Sequence, residues 1–584
     1  MEAWWDRYPA ELRREKAALD ALGYAWSIDQ AAMDAGQMVV RVDVPHDGGV
    51  LALTAVYPDT FPYFAPMVTT DSARFQRHQH PLGRNLCLLA REGEDWRPGH
   101  DSLATLIKDQ LPPLLEVNGE AAVPEIVAQT EDHVGEPLSS FLPYVPESAV
   151  IVPDETPPAD VSSGRLSLFL RTTPAGWLGQ CFVNGVVGSI DDMHGQPLVL
   201  FKKSIPSFDR PARGFWLRLN ERPTVSTFES AGIDLFKLVE GKLAPLTKAI
   251  QTAKRDEVFV VGLTYRDEVS WRHSADDWVF LAIQVVRETK RSRRAEIRPH
   301  FVRADWGGEK AWLRRAPFLM PLRKKTALVV GLGSLGSPVV LQLARAGIGG
   351  LRLVDDDNLQ VGNTVRWAMG WQYAGFQKLS ALVSHVATDY PYTTIRSFNH
   401  MRIGALPNPP AGQPSQYDIL KQLVTESDIV IDAAASHRVS HFLADLAREL
   451  VKPYLWLTTT HGAAGGVVGR LQPSKKMGCW HCFQRGLTDG SIRLPADAGT
   501  DEVQPGGCSQ PTFIGAGIDS DAVANQAARL AVATLCSGEE GGYPDFAWDV
   551  AVADLQRGGL SIAPEWTPYD LAARQDCPDC SAQA

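Results

Sequence analysis

One stretch constrains the fold more than any other. From Thr326 the chain reads TALVVGLGSLGSPVVLQLARAGIGGLRLVDDD. It is an apolar run, a glycine-rich turn, a helix-length apolar segment and a second apolar run that ends in acids. Strands apolar on both faces suit a parallel sheet, and a parallel pair needs a crossover, which the helix-length segment supplies. The stretch is one βαβ unit. DIVIDAAA (Asp428–Ala435) and PYLWLTTT (Pro453–Thr460), separated by a helix over His441–Val451, continue the pattern. Residues 316–584 are therefore expected to form a doubly wound, mostly parallel α/β sheet.

Gly331, Gly333 and Gly336 form a GxGxxG set at the first strand-to-helix turn. Glycine there lets the backbone approach a phosphate, which then rests on the helix N-terminus. Asp355 ends the next strand, where an acid meets a ribose hydroxyl. A nicotinamide-dependent oxidoreductase shows the same pieces, and so does a glycine turn without a ligand. The residues after that strand separate the cases: Asp355-Asp356-Asp357 leads to Asn363 and Arg366, then to Gly375 and Lys378. Hydride transfer has no need for cations converging on nucleotide phosphates. An adenylating site does, because it stabilises triphosphate charge while a carboxylate attacks the α-phosphorus.

In these residues the sequence from about Lys325 onward resembles the ubiquitin-activating enzymes and their bacterial sulfur-carrier-activating relatives, the ThiF/MoeB type. Their pattern of GxGxLG, DxD, NxxR and GxxK is matched in order and spacing. The resemblance implies a Rossmann-like adenylation domain using ATP and Mg2+. Asp355 would hold the ribose, and Asn363, Arg366 and Lys378 would contact the phosphates. One departure concerns the metal. The family carries an acid three residues after the Asp of its next strand, whereas Asp432 is followed by Ala433, Ala434 and Ala435. Either another acid, Asp357 or Asp432, takes the magnesium, or adenylation is weakened; the former is the expectation.

Cys479-x-x-Cys482 and Cys577-x-x-Cys580 are two knuckles of the spacing that closes a tetrahedral Zn2+ shell. A single CxxC would suit redox chemistry equally well, but two together favour a structural zinc that pins the C-terminal tail. Cys508 lies between them in PGGCSQP, a composition of exposed loops. A thiol on a loop beside an acyl-adenylate can form a thioester, and the resembling family places its acceptor cysteine between the same knuckles. Cys181 and Cys536 sit in apolar contexts and read as core residues.

The N-terminal part has a different character. Residues 1–25 read as an amphipathic helix, and Met38–Val44 and Val50–Tyr57 as a hairpin around Pro-His-Asp-Gly-Gly. A proline-rich irregular stretch with Cys87 at its centre comes next, then a helix over 102–115. Tyr57-Pro58, Phe61-Pro62, Pro66, His80-Pro81, Asn85-Leu86-Cys87-Leu88 and Trp96-Arg97-Pro98, in this order of elements, resemble ubiquitin-conjugating enzymes. That resemblance covers about residues 1–120, marks residues 1–125 as an α+β ubiquitin-conjugating-like domain, and implies a catalytic Cys87. Leu82 stands where the family's His-Pro-Asn tripeptide has its Asn, so Asn85 or a backbone N–H must steady the oxyanion. A buried structural cysteine is the plainer alternative. Residues 126–164 are rich in Pro, Glu and Ser and read as a semi-extended linker, and residues 165–315 as a central α/β domain of unreadable role.

Composition bounds the partners. Lys+Arg number 57 and Asp+Glu 68, a net charge of −11, which argues against nucleic acid. No apolar run is long enough to span a bilayer, and the polar N-terminus and sparse cysteines point to the cytoplasm. An activating and a conjugating module on one chain make a relay. A protein C-terminus would be adenylated, captured by Cys508, passed to Cys87 and joined to a target, with tethering raising the second thiol's effective concentration. Such exchange needs thiols whose pKa is lowered by local charge. The fusion resembles the conjugation enzymes of antiphage CBASS systems. By that likeness the modifier would be a cGAS-like nucleotidyltransferase and the active form a homodimer through the adenylation domains. A sulfur-carrier adenylyltransferase with a non-catalytic N-terminal docking domain is the principal rival. A binding scaffold with a degenerate nucleotide site is a third reading.

Overall fold

The computed structural model describes all residues except 1, 47–48, 90–94, 120–134, 143–146, 172–182, 202–204, 206, 254–256, 288–295, 405–411, 500–501, 504–511 and 581–584. The chain divides into two units, one built from Met1–Phe201 and Phe208–Gly307, the other chiefly from Gly308–Ala584. The second unit begins earlier than residue 316 for a physical reason. The Trp312 ring packs against Tyr392 with centroids 5.0 Å apart, and Arg323 donates to the Gly347 carbonyl at 2.6 Å, so this lead-in packs on the sheet domain.

The first unit opens with helix α1 (Pro9–Leu22), then β1 (Ala25–Ile28), β2 (Val39–His46), β3 (Gly49–Val56) and β4 (Met67–Thr69), an antiparallel meander in that order. The period-2 pattern of the hairpin sends Val40, Val42, Val44, Leu51, Leu53 and Ala55 to one face. There they bury against Trp4, Leu19 and Phe61. Helix α2 (Leu111–Asn118) continues a turn that starts at Leu103, capped by Ser102 and Thr105. The stretch between that turn and α2, Leu106–Gln110, is π-helical, and Pro112 and Pro113 lack the N–H groups an α-ladder there would use.

The segment that reads as a linker is structured where it is described. It supplies β5 (Ala149–Val152) and the start of β6 (Ser163–Arg171), with Val150, Val152 and Leu138 buried. The strands β7 (Asn184–Asp191), β8 (Pro197–Leu200), β9 (Phe208–Arg218), β10 (Glu257–Ser270), β11 (His273–Val286) and β12 (Glu296–Trp306) complete the sheet. Its order is β5-β12-β11-β10-β9-β6-β7-β8, and β5 also pairs with β7, so seven strands close into a ring. The central part is thus not an α/β sheet. Among the described strands β5–β7, β5–β12 and β9–β10 are parallel and the other neighbours antiparallel. Val152, Leu166, Trp216, Trp278, Phe280 and Val302 fill one face of the strands. The opposite face of β10 and β11 packs under α3 (Ala231–Val239) and α4 (Ala244–Thr252) through Leu235, Leu246, Val261, Leu263 and Leu281.

The second unit carries β13 (Thr326–Val330), α5 (Gly336–Arg345), β14 (Gly350–Val354), α6 (Lys378–Asp389), β15 (Thr394–Asn399), α7 (Gln416–Thr425), β16 (Ile429–Asp432), α8 (His437–Glu449) and β17 (Tyr454–Thr459). The sheet order β15-β14-β13-β16-β17 is parallel throughout, as the βαβ reading requires. It continues antiparallel through β18 (Gly465–Leu471) and a C-terminal hairpin, Val550–Arg557 and Leu560–Tyr569. Chain order reverses at β13, beside β16. In open parallel sheets a crevice for ligands forms at that point, outside the carboxyl ends of the strands. Helix α9 (Trp480–Asp489) and the long α10 (Gly517–Cys536) cover the sheet, and Cys536 is buried, in keeping with its apolar context. Among the described residues no helix is long and apolar enough to cross a membrane. Cys181 lies outside the described residues.

Candidate functional site

The glycine turn sits at the reversal point, between β13 and α5. Gly331 has φ +84°, a left-handed backbone, and a side chain there would lie 2.6 Å from the Ala434 Cα. Gly336 opens α5 so close to the loop that a Cβ would lie 1.8 Å from the Gly331 carbonyl oxygen. Gly333 differs: a Cβ there would meet nothing within 4 Å, so the turn is open where a phosphate would approach. The loop is held from behind. Trp367 donates its indole N–H to the Leu332 carbonyl at 2.7 Å, and Ser337 donates to the Gly333 carbonyl at 2.8 Å.

Asp355 comes directly after β14 and reaches the same loop. Its carboxylate accepts the Leu332 N–H at 2.6 Å and the Asp357 N–H at 2.8 Å, so it braces the glycine turn against the acidic segment. Burial raises its pKa, opposed by those two hydrogen bonds. Lys378, at the start of α6, is buried; its ammonium pairs with the exposed Asp357 carboxylate, and its N–H donates to the Asp357 carbonyl at 3.1 Å. Asn363 caps a short turn, its side-chain oxygen accepting the Gln360 N–H at 3.1 Å. Arg366 is half-buried three residues on, and burial lowers its pKa. The loop, Asp355, Asp357 and Lys378 are therefore one hydrogen-bonded group at the carboxyl ends of β13 and β14.

Asp432 does not join that group as expected. It ends β16, is 1% exposed, and has both oxygens engaged: one accepts the Ala434 N–H at 3.0 Å, the other the Tyr454 hydroxyl at 2.8 Å. Burial raises its pKa, and with both oxygens engaged and 1% of the residue exposed it presents no free oxygen to a cation. Ala435 is exposed with φ +52° and offers no donor. Of the two acids considered for magnesium, Asp357 alone has a solvent-facing carboxylate.

Cys479 and Cys482 stand at the start of α9, and Cys577 and Cys580 in the C-terminal tail. Their Sγ atoms are 3.5 Å (Cys479–Cys577), 3.6 Å (Cys482–Cys580) and 4.0 Å (Cys479–Cys482) apart, and all four lie within 4.8 Å of one another. These separations are too long for disulfides and match the roughly 3.8 Å edge of a tetrahedron with Zn–S of about 2.3 Å. The four thiols fit a closed zinc shell. Cys508 lies outside the described residues.

In the first unit Cys87 is exposed on the irregular loop after β4. Its N–H donates to the His78 carbonyl at 2.8 Å, and His78 has φ +59°. The thiol's pKa is raised, first by protein packed around it and then by the Glu136 carboxylate, contrary to the lowered value expected for a relay thiol. Leu82, which departs from the pattern that the sequence resembles, also has an explanation. It packs on the cluster of Leu138, Leu142 and Leu235, while the His80 ring packs on Phe141 at 5.1 Å and Phe228 at 5.3 Å. Residues 80–82 thus dock the cysteine loop onto the strand-ring domain, and His80 Nδ1 accepts the Leu82 and Gly83 N–H groups. Sequence reasoning misses Glu136 because it falls in the segment that reads as a linker. The only signal there is the apolar spacing of Leu138, Phe141 and Leu142.

The ThiF family matches residues 313–540. Two uncharacterized proteins of Sinorhizobium fredii are similar along nearly the whole chain. y4oA is 27% identical over 99% of this chain and 98% of its own length, and y4qC is 29% identical over 97% and 96%. The ATP-dependent ubiquitin transferase-like protein Cap2 of Enterobacter hormaechei is 30% identical over 25% of this chain and 22% of its own length. The segment that holds the glycine turn, Asp355, Arg366 and Lys378 is a ThiF-family adenylation domain, and the chain is an enzyme with ubiquitin-activating-like activity.

Proposed function

We propose that the chain activates the C-terminal carboxylate of a protein and conjugates it to a target through two successive thioesters. The observation that carries this reading is the single group formed by the glycine turn, Asp355, Asp357 and Lys378 at the switch point of the sheet. ATP would lie with its phosphates over Gly333 and its ribose toward Asp355. Lys378 and Arg366 would neutralise charge that develops as the carboxylate attacks the α-phosphorus and pyrophosphate leaves. Asp357 would hold Mg2+, which would supply positive charge beside the triphosphate, and Lys378, its ion-pair partner, stands at the same place. The acyl-adenylate then acylates Cys508, and thiol exchange moves the acyl group to Cys87. The four-cysteine zinc keeps the tail on the domain and takes no part in the chemistry.

Likeness to Cap2, an ATP-dependent ubiquitin transferase-like protein, supports extending the resemblance to CBASS conjugation, with a cGAS-like nucleotidyltransferase as the modifier. A homodimer through the adenylation domains fits the exposed Val361, Val365, Trp371, Phe376 and Ile518 of the second unit. Location in the cytoplasm belongs to the same reading. The sulfur-carrier alternative is favoured by one observation, the raised pKa of Cys87.

Cys87→Ser and Cys508→Ser variants decide between them. Serine holds a transferred acyl group as a slower-cleaving ester, so intact mass of the Cys87→Ser protein expressed in the native host should show a protein-sized adduct at position 87. The adduct should disappear when Cys508 is also replaced. An adduct trapped by Cys508→Ser but never at position 87 by Cys87→Ser would hand the function to the sulfur-carrier reading. No adduct in either variant would leave the adenylation site itself in question, which ATP–pyrophosphate exchange would then test.

A further inference from the structure

We propose that Glu136, carried by the strand-ring domain, is a catalytic carboxylate of the Cys87 site. It would bind the ammonium form of an incoming primary amine and take its proton, which makes the acceptor an amine and the product an amide. The inference rests on Cys87 being acylated, as proposed above, and names the nucleophile that consumes that thioester.

The placement of Glu136 is built rather than incidental. Gly135 lies so close to the β10 end that a Cβ would sit 2.5 Å from the Ser270 Cα. The Leu138 N–H donates to Asp267 at 2.7 Å, Leu138 itself is buried, and Arg222 donates to the Glu136 carbonyl at 3.3 Å. The backbone is thus pinned on both sides of residue 136, and the side chain is directed onto the cysteine loop. There its carboxylate accepts the His78 N–H at 3.1 Å, one peptide from the carbonyl that accepts the Cys87 N–H at 2.8 Å. The His78 Nδ1 is 3.9 Å away. Other acids on the same wall are engaged: Glu268 with Arg77 at 2.5 Å, and Asp267 with Arg222 at 3.4 Å. Glu136 is about one-fifth exposed, open enough to meet a nucleophile.

A resting thiol gains nothing from a neighbouring carboxylate, which makes it a weaker acid. The arrangement makes sense for the acylated state, where the sulfur has no proton to lose. A cationic amine is attracted to Glu136 and gives up one proton to it. The freed lone pair attacks the thioester carbonyl, the C–N bond forms, the C–S bond breaks and the electron pair leaves on sulfur. Because Glu136 is then neutral, the repulsion that disfavoured a thiolate vanishes as the thiolate departs. The second ammonium proton, lost on amide formation, goes to the sulfur or to water, and Glu136 returns its own to solvent. Thioester and ammonium thus become amide, thiol and one proton.

The test uses the full chain, with Cys87 acylated by exchange with a glycine-terminated peptide thioester and discharge followed by mass at that residue. Two nucleophiles are compared at neutral pH: L-lysine, a cation, and hydroxylamine, uncharged. Glu136→Gln should slow discharge to lysine by about 10²-fold, the low end of general-base effects, and leave hydroxylamine within about twofold. Glu136→Asp should keep the preference for lysine. Nα-acetyl-lysine against Nε-acetyl-lysine tells a side-chain amine from an α-amine. Equal slowing with both nucleophiles would make Glu136 a structural residue, and no slowing would remove it from the site; either result overturns the assignment. If the wild-type thioester reacts with lysine no faster than the free peptide thioester, the conjugating role of Cys87 falls and the role of Glu136 with it.

Discussion

Replacing Gly336 with alanine is expected to destroy the nucleotide turn together with its fold, whereas Gly333→Ala is expected to spare the fold and lose the nucleotide. The two glycines look alike in the motif, but their surroundings differ. A methyl at residue 336 would sit 1.8 Å from the Gly331 carbonyl, with the Ala433 Cβ 3.2 Å away and no flexible side chain to yield. The strand-to-helix junction would have to open, a loss above about 4 kcal/mol by the scale of severe core lesions. At residue 333 the methyl meets no protein atom, so the melting transition of the second unit should not move. It would occupy the space intended for a phosphate, and overpacking of about 1–3 kcal/mol there predicts roughly a 10- to 100-fold weaker ATP affinity. Calorimetric titration with Mg2+–ATP beside a thermal melt checks both. Unchanged ATP affinity in a folded Gly333→Ala protein would mean that the turn does not hold the phosphates.

Cys577→Ala is expected to release zinc and unfasten the C-terminal tail. Cys577 is fully buried in a cluster with Trp480, Phe483, Trp456 and Leu571, so the metal would join segments almost a hundred residues apart in sequence. Removing one thiolate leaves three, which bind zinc too weakly to offset the entropy of the freed tail. Elemental analysis should fall from one zinc per chain to none. Structural zinc is worth about 10 kcal/mol in small folded peptides. Even a third of that would lower the melting point of this unit by about 10 °C, at roughly 2–4 °C per kcal/mol. Chelation of the wild-type protein should reproduce the shift, and Arg574→Ala, which removes a partly exposed pairing with Asp489 and Asp576 in the same tail, should not. A protein that carries no zinc yet melts normally would refute the closed-shell assignment.

Much of the second unit was legible because its signals are local. The alternation of apolar strand, glycine turn and helix from Thr326 fixes direction within a few residues, and parallel pairing then leaves few topologies. The spacing from Gly331 through Asp355 to Lys378 likewise places all three at the carboxyl ends of β13 and β14. What spacing could not say was how each acid is satisfied. Asp355 braces the loop through the Leu332 N–H, and Asp432 is held by Tyr454, which lies on the next strand, beyond an intervening helix. A hydrogen bond that pairs a carboxylate with a remote hydroxyl leaves no mark on the local pattern.

The first unit divides along the same line. By itself the sequence determined the α1–hairpin–helix order and the exposed proline-rich setting of Cys87, because periodicity and proline act within a few residues. Only the tertiary structure decided that residues 135–142 and 147–152 belong to a folded domain. Proline and acidic residues mask a strand whose partners, β7 and β12, lie far along the chain, and ring closure supplies the backbone hydrogen bonds that a lone segment lacks. That closure also puts Leu82 to use as a packing residue and brings Glu136 to the cysteine loop. Local chemistry chooses the elements; long-range pairing and burial choose which charges stand next to the reactive thiol.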